Sequence, residues 1–217
     1  MKFIITVGRE YGSGGRFIAK KVAEKMGIKF YDNELLAEAA KKSGLSEAVF
    51  KAYDEKKDSF FGSAVGMYSY DMSLGQKVFL AQFEAIKNIA EGDESCVIVG
   101  RCADYVLRDR KDVVNVFICA PFEERCYRAI TYYHIPSNKV NAHVRKTDKK
   151  RESYYNFYTD EREWGKASNY DLCINSKVGI DQCVDAIIRY TKARFAIDEY
   201  ALPENATNVN IRTDEDK

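Results

Sequence analysis

Residues Val7 to Ala19 read VGREYGSGGRFIA, between the apolar run KFIITV and a stretch with helical spacing. Gly8, Gly12, Gly14 and Gly15 allow successive backbone N–H groups to turn toward one point, and a helix N-terminus behind them favours negative charge. That combination binds anions, phosphate above all. Gly12, Ser13, Gly14 and Gly15 are the candidate cradle. Arg16 is its candidate cation, because a guanidinium fork matches phosphate oxygens in pairs, and Arg9 is a second. The competing reading is a tight strand-to-helix turn that uses glycine for backbone freedom alone.

The full phosphate-loop pattern also needs a lysine for the β- and γ-phosphates and a hydroxyl for Mg²⁺. Aligned on GSGG, the lysine position falls on Gly15, and the next two positions hold Arg16 and Phe17. Both groups are missing where the pattern puts them.

Short apolar strands alternate with amphipathic helices along the chain. Strands are expected at Lys2 to Val7, IKFYD, SCVIVG, DVVNVFICA and YDLCINS. Helices are expected at Arg16 to Met26, Asn33 to Lys42, Ser46 to Lys57, Gln76 to Glu91, Arg101 to Leu107, Pro121 to Tyr133, Ser137 to Tyr158 and Ile180 to Phe195. Asp58 to Gly75 mixes glycine, serine and aromatics without a period and reads as a loop or lid-like hairpin. This alternation predicts an α/β fold, a parallel sheet covered by helices on both faces. Ligands of such sheets sit at the carboxyl ends of the strands. Gly8 to Gly15, Gly100 to Asp104 and Asn175 to Lys177 fall there.

The chain has 217 residues, 34 basic and 33 acidic side chains, and six cysteines without a C-x-x-C pair. This length suits one α/β domain. A formal charge of +1 gives no global field for a polyanion, so nucleic acid is not an expected partner. Several of the cysteines fall in apolar patterns and suggest core thiols in a reducing compartment. About five apolar residues precede Gly8, short of a signal peptide or a membrane span, so the expectation is a soluble cytoplasmic protein. His134 and His143 lack metal-ligand spacing, and no metal ligand is assigned. Residues 198–217 are polar and non-periodic and read as a loosely held tail after a domain over 1–197. The aromatic segment around Phe60, Phe61, Met67, Tyr68 and Tyr70 is a candidate contact surface for a homo-oligomer.

REYGSGGRFIAKKVAEKMG, FYDNELL, VIVGRCADYVL, NVFICAPFEERCYR and DKKRESYYNFYT…W…NYDLCINS, in that order, resemble the cytidylate kinase-like family of bacterial proteins. That family is similar to the CMP kinases of the P-loop nucleoside monophosphate kinase group. The resemblance spans roughly residues 2 to 195 and implies a three-layer α/β/α P-loop NTPase fold, with a helical NMP-binding insert within about 32–92 and a helical lid within about 135–166. It implies ATP and Mg²⁺ as cofactors and a nucleotide or other small acceptor, CMP or dCMP first. In GRCAD, Gly100 and Arg101 match the acceptor-gripping Gly-Arg-Asp of CMP kinases, with Asp104 displaced by two residues. Asp32 matches the acid near the acceptor. Val99 stands where CMP kinases carry an acid.

Phosphoryl transfer rests on positioning and charge neutralisation, so several cations must converge on the phosphates. Val144, Asp148, Arg151 and Tyr155 share one helix face at i, i+4, i+7 and i+11. Arg151, oriented by Asp148, is the candidate lid cation, with Arg145 and Lys149 in reserve. The alternative is a solvated charged helix. Arg125 and Arg128 read as surface ion pairs with Glu123 or Glu124, with Arg128 also a phosphate candidate. Asn175 and Lys177 either flank the adenine or cap a turn.

These residues lead to an ATP-dependent phosphotransferase of the nucleoside monophosphate kinase type. The alternatives are a nucleotide-binding pseudokinase or sensor, which the missing lysine favours, and a small-molecule kinase with a non-nucleotide acceptor.

Overall fold

The computed structural model describes residues 2–32, 74–160 and 162–196. The expected helices within 33–57, the aromatic segment 58–73 and the tail lie outside the described residues. Five parallel strands form one sheet: β1 (Ile4–Arg9), β2 (Lys29–Tyr31), β3 (Cys96–Val99), β4 (Val113–Cys119) and β5 (Leu172–Asn175). Their order is β2-β3-β1-β4-β5, which puts β1 in the centre, paired with β3 on one side and β4 on the other.

Strand side chains alternate between the two faces, and in the inner strands β1, β3 and β4 both faces are largely buried. Ile5 and Val7 point with Val97, Val99, Val114 and Val116 toward α1 (Gly15–Met26) and the closing helix, Ile180–Arg194. Ile4, Cys96, Ile98 and Val113 point the other way, toward Ile86 and Ala90 of α2 (Leu74–Glu91) and Ala103 and Val106 of α3 (Ala103–Val106). The result is the three-layer α/β/α arrangement that continuous apolar parallel strands require.

Two further helices, α4 (Phe122–Tyr133) and α5 (Val140–Tyr158), pack on each other through Cys126, Ala129, Val140 and Val144; the closing helix becomes α6. α1 runs between left-handed glycines, Gly14 before it and Gly27 after it. Glu123 and Glu124 occupy the first turn of α4, where the helix dipole favours acids.

Two helices start later than the periodicity predicts. The one expected from Arg101 starts at Ala103, because Arg101 and Cys102 take left-handed backbone, and the one expected from Ser137 starts at Val140. The six cysteines are free thiols, four of them buried. Burial pushes Cys96 up to about 11, which suits a core thiol and not a nucleophile. Among the described residues no helix is long and apolar enough to cross a membrane.

Candidate functional site

β1 delivers the chain into the glycine loop at the carboxyl edge of the sheet. Gly12 and Gly14 have φ of 77° and 81°, and a Cβ on Gly12 would lie 2.5 Å from the Arg125 carbonyl oxygen. Both backbone freedom and close approach therefore require glycine at position 12. Ser13 is fully buried: its hydroxyl donates to the Glu10 carbonyl at 2.8 Å and accepts from the Gly15 N–H at 3.3 Å. The Ser13 carbonyl accepts from the Ser176 hydroxyl at 2.6 Å and from Arg128 at 3.2 Å. The loop is thus held by its carbonyls from outside. The N–H groups of Gly12 and Gly14 meet no acceptor among the described residues.

Arg125 and Arg128, from α4, supply that outer support. Arg125 is paired with Asp148 and lies 3.4 Å from Glu10, and Asp148 also accepts the Tyr11 N–H at 2.7 Å. The Glu10 carboxylate accepts the Ala120 N–H at 3.0 Å. Arg128 pairs with Glu124 at 3.2 Å while bonding the loop carbonyls and the Ser176 hydroxyl. The expected pairing of Arg128 with Glu124 is present, but Arg125 reaches Asp148 and Glu10 instead of its helical neighbours.

A second set of arginines faces the other side of the loop. Arg151 does turn inward with Val144, Asp148 and Tyr155, as the spacing predicts, and donates to the Arg9 carbonyl at 3.1 Å. Its orientation by Asp148 takes no direct contact, since that carboxylate is held by Arg125 and the Tyr11 N–H. Arg16 forms an ion pair with the buried Asp32, which brings a candidate phosphate cation and a candidate acceptor residue together. Arg101 lies over the Tyr154 ring at 5.9 Å. Burial and the charges of Arg151, Arg101 and Arg16 outweigh Asp32 and hold Arg9 well below its ordinary value. Burial also lowers Arg151, with Asp148 opposing. Four guanidinium groups therefore converge where β1, β3, α1 and α5 meet, and such a cluster stabilises an added anion.

Arg101 reaches this place through an unusual backbone. Gly100, Arg101 and Cys102 are left-handed in succession, with φ of 76°, 57° and 56°. For the two non-glycine residues that conformation costs of order 1–3 kcal/mol each, and strain of this kind concentrates at functional sites. Asp104 is buried below it, accepting from the Tyr155 hydroxyl at 2.6 Å, and burial pushes its carboxyl up. Asp104 therefore links α3 to α5. The Asn175 side chain accepts the Lys177 N–H at 3.0 Å and caps a short turn whose middle residue, Ser176, holds the loop. Arg145 and Lys149 are on the exposed side of α5, with Arg145 over Phe122.

Spacing gives no sign of the Arg125–Asp148 pair, because it crosses from α4 to α5. Among the described residues no group of three or more His, Cys, Asp or Glu side chains is placed to hold a metal ion. The Ser13 hydroxyl is occupied by backbone groups on both sides.

Residues 4–178 match the cytidylate kinase-like family. A cytidylate kinase from Pyrococcus horikoshii is 27% identical over 190 residues, which covers 87% of each chain. Among solved structures, an uncharacterized protein from Eubacterium ventriosum is 32% identical, with a TM-score of 0.70 over 88% of this chain and 99% of that one. A shikimate kinase from Bacteroides thetaiotaomicron is 13% identical, with a TM-score of 0.53 over 88% of this chain and 98% of that one, a likeness of fold alone.

Proposed function

Because the chain belongs to the cytidylate kinase-like family, we propose that it transfers the γ-phosphoryl group of ATP to CMP or dCMP, giving ADP and CDP or dCDP. The observation that carries this reading is the convergence of Arg16, Arg101 and Arg151 beside the glycine loop. An acceptor phosphate oxygen attacks the γ-phosphorus as the bond to the β,γ-bridging oxygen breaks. Ionised phosphate needs no general base, so positioning and charge neutralisation suffice.

In this reading Gly12, Ser13, Gly14, Gly15 and Arg16 cradle the donor phosphates. Asp32 and Arg101 hold the acceptor, with Asp104 positioning α5 through Tyr155. Arg151 neutralises the transferring group, and Asp148 ties its helix to the loop. Asn175 and Lys177 border the adenine. Mg²⁺ comes with ATP, held by phosphate oxygens and water.

A second reading is a nucleotide-binding pseudokinase, favoured by the lysine and hydroxyl missing from the loop. A thermal-shift titration separates the two. Ligand that binds only the folded state raises the midpoint by mass action. ATP with Mg²⁺ should raise it, Arg16→Ala should lose that shift, and CMP should add a further one. A shift with ATP that CMP does not extend, with no CDP formed, is the pseudokinase result.

A further inference from the structure

The last residue of β1, the strand that leads into the loop, is an arginine. In the phosphate-loop pattern G-x-x-x-x-G-K, the first glycine precedes the lysine by six positions. Here the residue six positions before Gly15 is Arg9. The glycine and the cation have changed places. The structure gives the exchange a steric basis: a Cβ on Gly15 would lie 2.5 Å from the Arg9 Cβ and 3.1 Å from its Cγ. The same side chain ends against Gly100, where an added Cβ would collide with its Nη1. Arg9 thus threads a gap that two glycines keep open, and a lysine at position 15 would fill that gap.

Among the described residues, the Arg9 guanidinium meets no hydrogen-bonding or ion-pair partner, whereas Arg16 is tied to Asp32 and Arg151 to the Arg9 carbonyl. Backbone N–H groups of Gly12 and Gly14 in the same loop also meet no acceptor among the described residues. A cation held in place by glycine packing, with no acceptor among the described residues, is set to receive an anion.

We propose that Arg9 is the phosphate-binding cation of the loop, the counterpart of the absent lysine, and that Gly15 is glycine to admit it. This rests on the kinase reading for the identity of the anion, the β- and γ-phosphates of ATP. It does not rest on that reading for the exchange itself.

ATP with Mg²⁺ is titrated into the native chain, Arg9→Ala, Gly15→Lys and the double variant Arg9→Gly/Gly15→Lys, with thermal midpoints recorded for all four. Arg9→Ala should stay folded and weaken ATP binding by about tenfold to a hundredfold, the range of a lost charge-assisted contact. Gly15→Lys should lose both midpoint and affinity, and the double variant should recover most of each. ATP affinity unchanged in Arg9→Ala, or a double variant no better than either single one, overturns the proposal. A ligand-free readout tests the packing: Gly15→Ala should lower the midpoint more in the native chain than in Arg9→Gly, where Ile118 at 3.3 Å is the remaining close neighbour, and equal drops overturn it. Should the native chain bind inorganic tripolyphosphate through Arg9 but not ATP, the loop cation stands and the nucleotide reading falls. If it binds neither, the role of Arg9 falls as well.

Discussion

Two sets of arginines flank the glycine loop, and they differ in their acids. On the α4 side, Arg125 and Arg128 meet Asp148, Glu10 and Glu124 and spend their remaining donors on loop carbonyls. On the sheet side, burial first and then the charges of Arg151, Arg101 and Arg16 depress Arg9, with Asp32 the opposing carboxylate. The same residue type is thus used in two ways. Where charge is matched, arginine fixes the backbone; where it is in excess, the protein stores an affinity for anions at a cost in its own stability.

The largest expected effect breaks the matched side. Arg125→Ala leaves Asp148 and Glu10 without their cation beneath the loop and should cost about 3–5 kcal/mol in urea unfolding, as removal of one partner of a buried pair does. Arg128→Ala removes donors from Ser13, Gly12 and Ser176 and should cost about 1–3 kcal/mol. It should also loosen hydrogen exchange at the loop amides, which a distant destabilisation would leave alone.

Asp104 sharpens the comparison as an acid without an arginine bonded to it. Burial raises its carboxyl in the folded state, so the native chain binds a proton more readily than the unfolded chain. Stability linked to it is greatest below the ordinary carboxylate range and falls as pH rises through the folded value. Asp104→Asn, which still accepts from Tyr155, should flatten that fall in unfolding measured from pH 3 to 8. The smallest effect has the opposite sign on the excess side. Arg9→Met removes repulsion among the arginines and should stabilise the unliganded chain by about 0.5–1 kcal/mol while ATP affinity falls.

Much of this arrangement is legible in the sequence. Apolar runs identify β1, β3 and β4 most clearly, because parallel strands buried on both faces read as continuous hydrophobic stretches. The half-exposed edge strands β2 and β5 are recognised by their shortness and their place between helical segments. Helical spacing identifies the inward face of α5 with Val144, Asp148, Arg151 and Tyr155. Spacing cannot say what stands opposite, so it assigns Asp148 to Arg151 where the fold gives it to Arg125 and the Tyr11 N–H. The exchange between Arg9 and Gly15 is hidden for a similar reason. It depends on where the last side chain of β1 goes once α1 has folded back over it. The left-handed turn at Arg101 and Cys102 carries no sequence signal at all, since neither residue is glycine or asparagine.

In the proposed reaction the arginine cluster moves a phosphoryl group onto a cytidine nucleotide. The most direct test incubates the full chain with ATP, Mg²⁺ and CMP and follows both nucleotides by phosphorus NMR. CDP and ADP appearing in equal amounts, and both lost in Arg151→Ala, is the expected result. ATP that binds the native chain yet yields no CDP, and no dCDP when dCMP replaces CMP, would contradict it.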